Sequence, residues 1–239
     1  GGGLVPWALL AGYGDVGEIG ASAALSQLRV DDFELQVAGA AVSFGNRVEV
    51  SAARQRLHVQ PLDLSIEQQV LGTKLRVAGD AIYGALPALT VGAQWKRNRD
   101  SAVPFALGAE DDDGVDLTLS AGKLWLDALA GRNLFANLTL RNTEANQTGF
   151  LGFGGPGADR EWVAEGSLGL FLSRRWVIGL EYRDKPDQLA TVREDAWWDA
   201  FVGWFPNKRL SLIGAWTDLG SVAGLPEQDG LYLSLQLTY

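Results

Sequence analysis

The chain has 239 residues, and its formal net charge of −9 argues against nucleic acid, which needs a basic face. It contains no cysteine, which excludes a disulfide framework and thiolate metal sites and suits passage through an oxidising periplasm. Hydrophobic residues make up 47%, yet no uncharged stretch reaches the roughly 18 residues of a membrane-spanning helix; the longest, residues 81–95, is broken by Gly84 and Pro87.

The opening stretch, Gly1-Gly-Gly-Leu-Val-Pro-Trp-Ala-Leu-Leu-Ala-Gly12, is apolar and glycine-rich without alternation. No charged region precedes an apolar run, so Gly1 reads as a mature or trimmed start, and export is inferred from the rest of the chain. Residues 1–16 are expected outside the regular strands, at the periplasmic mouth of a barrel or as a plug in its lumen. Residues 17–239 are expected to form one barrel.

From Glu18 onward the chain alternates with period 2, the pattern of strands with one apolar and one polar face. Ile19, Ala21, Ala23 and Leu25 share the first apolar face, and Phe33, Leu35, Val37 and Gly39 the second, opposite Glu34 and Gln36. Val48, Val50 and Ala52 oppose Glu49 and Ser51, while Leu71, Thr73, Leu75 and Val77 oppose Lys74 and Arg76. Leu89, Val91, Ala93 and Trp95 oppose Gln94 and Lys96; Val115, Leu117 and Leu119 oppose Asp116. Leu134, Ala136, Leu138 and Leu140 oppose Asn137 and Arg141. Trp162, Ala164, Leu168, Leu170 and Leu172 oppose Glu161, Glu165 and Ser167, and Trp176, Ile178, Leu180 and Tyr182 oppose Glu181 and Arg183. Trp198, Ala200, Val202 and Trp204 oppose Asp199, and Leu210, Leu212 and Trp216 oppose Arg209 and Ser211. The last segment is the most regular: Leu231, Leu233, Leu235, Leu237 and Tyr239 alternate with Tyr232, Ser234, Gln236 and Thr238.

Twelve such segments make an even number, as single-chain bacterial outer-membrane barrels have. Counting back from a periplasmic C-terminus, links at 45–46, 84–87, 127–132, 173–174 and 206–208 fall inside and are short. Those at 60–69, 97–114, 143–160, 184–194 and 220–229 fall outside and are long, with a short exception near 29–32. This asymmetry marks a membrane barrel, and a soluble sandwich or lipocalin-like barrel has no reason to show it. The ring placement agrees. Trp95, Trp162, Trp198 and Trp216 lie near outer strand ends, and Trp125, Trp176, Trp204 and Tyr239 near inner ones, as in two interfacial girdles. Trp198 and Trp204 are only six residues apart, so some rings must sit below the interface.

Several stretches carry a family resemblance: Gly1 to Gly14, Gly92-Ala-Gln-Trp-Lys-Arg-Asn-Arg-Asp100, Gly131-Arg-Asn-Leu-Phe-Ala-Asn-Leu-Thr-Leu-Arg141, Ala145-Asn-Gln-Thr-Gly-Phe-Leu-Gly-Phe-Gly-Gly155 and Trp204-Phe-Pro-Asn-Lys-Arg-Leu-Ser211. Together they resemble a family of proteobacterial outer-membrane proteins filed as a domain of unknown function. The resemblance implies export and a barrel, and brings no activity, substrate or site residues. The terminal Tyr239 likewise resembles the closing aromatic read by the barrel-assembly machinery, an expected partner beside membrane lipid and lipopolysaccharide.

The polar faces should line the lumen or its constriction. They hold Glu34, Glu49, Asp116, Glu165, Glu181 and Asp199 against Lys74, Arg76, Lys96, Arg141, Arg183 and Arg209, an inventory in which neither sign dominates. Mixed charges either pair into a structural network that narrows the lumen or face each other across a channel for small polar solutes. Arg54 and Arg56 continue the apolar phase of Ala52, so either a bulge flips them or they lie above the membrane near lipopolysaccharide phosphates. In Gly149-Phe-Leu-Gly-Phe-Gly-Gly-Pro-Gly157, the side chains of Phe150, Leu151 and Phe153 are too apolar for a solvated loop and are expected to gate the mouth or grip a partner. The run Glu110-Asp-Asp-Asp113 is either a calcium site without calcium-loop spacing or a solvated acidic tip. No cofactor or resident metal is expected.

Three readings follow. The leading one is a narrow porin-like channel. The second is a closed barrel serving as a structural or docking component of an envelope assembly. The third, a hydrolase, would rest on the only histidine, His58, at an outer strand end with no serine motif beside it.

Overall fold

The computed structural model describes residues 5–12, 17–156, 160–189 and 194–239. Twelve antiparallel strands follow one another: β1 (Ile19–Val30), β2 (Phe33–Phe44), β3 (Val48–Val59), β4 (Leu64–Ala78), β5 (Ala88–Asn98), β6 (Asp113–Leu129), β7 (Arg132–Thr143), β8 (Glu161–Phe171), β9 (Trp176–Arg183), β10 (Trp197–Asn207), β11 (Leu210–Asp218) and β12 (Asp229–Thr238). Each pairs with its sequence neighbours, and β12 returns to β1, so the sheet closes and leaves no unpaired edge. The seam runs from Ser22 opposite Thr238 to Val30 opposite Gly230, and Ala21 and Tyr239 exchange backbone hydrogen bonds beyond it. All twelve segments of the alternating pattern are strands. The one α-helix among the described residues is short, α1 (Ala102–Ala106).

The two ends of the barrel differ. At one end, called here the turn end, the links are 45–47, 79–87, 130–131, 172–175 and 208–209. At the loop end they are 31–32, 60–63, 99–112, 144–160, 184–196 and 219–228. Two links depart from expectation. The expected long link at 60–69 shrinks to four residues because β4 already starts at Leu64. The expected short link at 84–87 grows to 79–87, where the Asp80 carboxylate accepts the Ile82 and Tyr83 amides. The Lys123 ammonium donates to the Asp80, Tyr83 and Gly84 carbonyls of the same link.

The outer surface carries the apolar phase. Leu25, Leu71, Leu138, Leu180 and the four leucines of β12 are exposed, as are the girdle rings Trp162, Trp198 and Trp216 at the loop end and Trp125, Trp176 and Trp204 at the turn end. Trp176 and Trp204 stack at 5.8 Å, while the Trp198 indole N–H reaches Asp218. With Trp198 and Trp204 in different girdles, the apolar band is narrow on this side of the barrel.

One strand has the opposite phase to that expected. In β2, Leu35 pairs with Leu28 and Leu57, and Val37 with Ser26 and Gln55, all pointing inward; Glu34, Gln36, Ala38 and Ala40 point outward. The reason is a reversal of polarity along β1–β4. Near the loop end their outer face becomes polar (Gln27, Arg29, Glu34, Arg54, Arg56, Glu67) and their inner face apolar. The register of β3 with both neighbours is unbroken, so no bulge turns Arg54 or Arg56 inward. Arg54 instead pairs outside with Glu67 at 2.6 Å. The inner apolar residues, Leu28, Val30, Phe33, Leu57, Val59 and Ile66, join Phe201, Ile213 and Tyr232 in one buried cluster.

Candidate functional site

The barrel interior is two-faced. From β5 to β9 it is charged, and the charges sit one strand apart by register: Gln94 faces Asp116, Thr118 faces Arg141, Thr139 faces Glu165, and Glu165 faces Arg183. Acids and bases thus alternate around the wall. The Lys96 Nζ lies 2.7 Å from Asp116, and the Arg141 guanidinium 2.9 Å from Asp116 and 2.5 Å from Glu165. Arg183 closes on Glu165 at 3.3 Å, and the Thr143 hydroxyl donates to Asp116 at 2.5 Å. Asp116 is 1% exposed and Glu165 0%, so this ladder carries its charges out of water with a partner for each.

Nearer the turn end, Glu49 and Lys74 face each other in register and pair at 3.2 Å. Asp199 faces Glu181 across β9 and β10, and Glu181 accepts from the Ser167 hydroxyl at 2.7 Å. Arg76 points inward, half-buried, near the turn-end mouth. Two expected lining residues are elsewhere. Glu34 is on the outer face because β2 has the opposite phase, and it accepts from Gln27 and Gln36 there. Arg209 lies in the exposed link between β10 and β11, because β11 starts only at Leu210.

Two segments fill the space inside. From the loop end, residues 144–156 fold inward, and Phe150 and Leu151 enter the apolar cluster beside Leu28, Leu57 and Ile66. Asn98 donates to the Gly149 and Phe150 carbonyls and Lys96 to that of Thr148, while Phe153 and Asp111 exchange backbone bonds that pin the acidic run to this loop. Gly149 has φ +104°, and a Cβ there would lie 2.6 Å from the Gln68 side chain. Gly157, the last residue of the glycine-rich motif, lies outside the described residues. From the turn end, residues 5–12 run up the lumen. The Trp7 ring packs 4.5 Å from Phe135, and its indole N–H donates to Ser167 and Glu181. Residues 1–4 and 13–16 of the expected N-terminal segment lie outside the described ones. Between this segment and the wall remains a cavity of about 10 Å³ beside Pro6, Trp7, Lys74 and Ser120, the size of a single water.

Beyond the barrel rim, Lys185 donates to the Gln147 side chain and lies 5.1 Å from the Trp197 ring centre, and Glu194 accepts the Gln147 amide at 2.6 Å. Burial pulls the Lys185 ammonium down to about 8 and pushes the Glu194 carboxyl up to about 7. Sequence reasoning missed both, together with the inward Ser43, and it placed Asn137 and Thr139 on the polar face without a role. Their type marks a polar face, but only the folded register shows what they hold.

His58 points outward. Its Nδ1 lies 3.3 Å from the Ser65 hydroxyl, its neighbour across β3 and β4, and its Nε2 3.9 Å from the exposed Asp63. Arg56 donates to the same hydroxyl. The contact follows from the register of β3 and β4 on the outer surface. Among the described residues no group of three or more His, Asp or Glu is arranged to hold a metal ion.

Similar folds are known. A solved KdgM porin superposes with a TM-score of 0.58 at 10% identity, covering 91% of this chain and 99% of that one. The outer-membrane protein Omp33 of Acinetobacter baumannii gives 0.55 at 8% identity, covering 92% and 97%. A NanC porin gives 0.56 at 6% identity, covering 92% and 98%. At such identities the likeness is one of fold: the closed barrel of outer-membrane porins. No curated protein matches the sequence. The family profile described as protein of unknown function DUF3034 matches residues 1–236, so the chain belongs to that family.

Proposed function

We propose that this protein is an outer-membrane β-barrel that works as a narrow passive channel for small polar solutes. One observation carries the reading: a continuous charged and hydrogen-bonded wall from β5 to β9 lines a barrel whose outer surface carries an apolar band. A barrel with only a structural role can fill its interior with apolar side chains at less desolvation cost. On this reading the outer band meets lipid, and Arg54 and Arg56 lie near headgroup phosphates. The KdgM porin has been solved with oligogalacturonate. Here the inward cations Lys74, Arg76, Lys96, Arg141 and Arg183 are matched in number by Glu49, Asp116, Glu165, Glu181 and Asp199, so the wall favours small solutes of low net charge over polyanions.

Purified protein in planar bilayers should give discrete current steps with weak preference between cations and anions. Silence at every voltage, for the native chain and for Trp7→Ala alike, overturns the reading.

A second reading, a closed docking barrel, is favoured by the apolar cluster that seats Phe150 and Leu151. Recovery of one stoichiometric partner by crosslinking in cells, with silent bilayers, would select it.

A further inference from the structure

We propose that residues 5–12 are a displaceable plug, latched by Trp7, whose withdrawal clears the turn-end part of the passage along the polar wall; this rests on the channel reading above. The barrel closes through β1 and β12 without a rung from these residues. Their main chain is held by side chains of the wall instead. Asn137 accepts the Ala8 amide at 2.8 Å and donates to the Pro6 carbonyl at 3.2 Å, and Thr139 donates to the same carbonyl. Lys74 donates to the Trp7 and Leu9 carbonyls, Glu49 accepts the Ala11 amide at 2.6 Å, and Ser43 donates to the Ala11 carbonyl.

Two consequences follow. A segment held by side-chain hydrogen bonds can leave without breaking a strand ladder, because water and solute replace those bonds one for one. Its departure exposes the polar side chains that a small hydrophilic solute needs along its path. The segment sits between the ion ladder and the turn-end mouth, and the cavity of about 10 Å³ beside it has room for a single water. Trp7 is the latch because its ring is the one large side chain gripped on two sides. Phe135 packs against its face, and Ser167 and Glu181 accept from its N–H.

The native chain has no cysteine, so a lock can be built cleanly. A Cβ placed on Gly122 would lie 3.2 Å from the Ala8 Cβ, close to the spacing of a disulfide. The full-length Ala8→Cys/Gly122→Cys chain, oxidised, should be silent in planar bilayers and should recover openings on adding reductant. Trp7→Phe should raise open probability about tenfold, the effect of losing one hydrogen bond to a charged acceptor, and Trp7→Ala, which also loses the ring packing on Phe135, should raise it further. Equal openings in native, oxidised and Trp7→Ala chains overturn the plug while the channel stands.

A second readout does not depend on conduction. Ala8 is fully buried, so Ala8→Cys should react slowly with a small maleimide and at least about tenfold faster in the Trp7→Ala background. Equal labelling rates in the two backgrounds overturn the plug. Silent bilayers with accelerated labelling would instead overturn the channel reading and keep a mobile segment.

Discussion

Arg141 is the side chain on which the interior depends. It touches Asp116, Glu165 and Gln94, so its removal leaves two buried carboxylates competing for Lys96 and Arg183. Arg141→Ala should cost about 3–5 kcal/mol of barrel stability, seen as a lower temperature for the gel shift of the folded form. It should also move the reversal potential toward cations, whereas Arg141→Lys should move neither as far. At the rim, burial raises the Glu194 carboxyl to about 7, so the folded state binds its proton more tightly than the unfolded chain does. Its contribution is favourable at low pH and is lost as pH rises from the ordinary carboxylate range toward 7; Lys185 stays protonated through that window. Hydrogen exchange at the Gln147 amide should therefore show protection falling by about 2 kcal/mol between pH 5 and pH 7.5. In Glu194→Gln the pH dependence should vanish. Residue identity alone carried some of this. Lys74, Lys96, Asp116, Arg141, Glu165 and Arg183 could be read as inward because a charge interrupts each apolar alternation. Glu34 and Arg209 could not, since nothing local marks where a strand reverses polarity or where a turn begins.

At the scale of elements, β12 was fully legible, and β2 was not. Both faces of β2 hold apolar residues, Leu35 and Val37 on one and Ala38, Ala40 and Val42 on the other, so its phase is set by Leu28 and Leu57 on its neighbours. The loop of residues 144–156 was legible as apolar, but its seat needed the inner face of β1–β4. Phe150 is 4% exposed there, and Phe150→Ala should cost about 3–5 kcal/mol of loop docking. Protease cleavage within residues 144–156 should then become fast while the barrel stays folded. Gly149→Ala should act the same way more weakly, by about 1–3 kcal/mol, because its positive φ and the nearby Gln68 side chain both oppose a Cβ.

The whole barrel was legible because its signals are redundant. Period 2 repeats twelve times, tryptophans mark strand ends, and four of the loop-end links are long. The filling of the barrel was not. Trp7 meets Glu181 across 174 residues of sequence, and Pro6 meets Asn137 across 131, distances at which no periodicity speaks. Whether the charged wall is a path for small polar solutes is decided by single-channel recording of the Trp7→Ala chain in planar bilayers. Discrete openings with a reversal potential near zero in a salt gradient are expected of a path lined by balanced charges. A bilayer that remains silent across all voltages, with the barrel verified as folded and inserted, would contradict it.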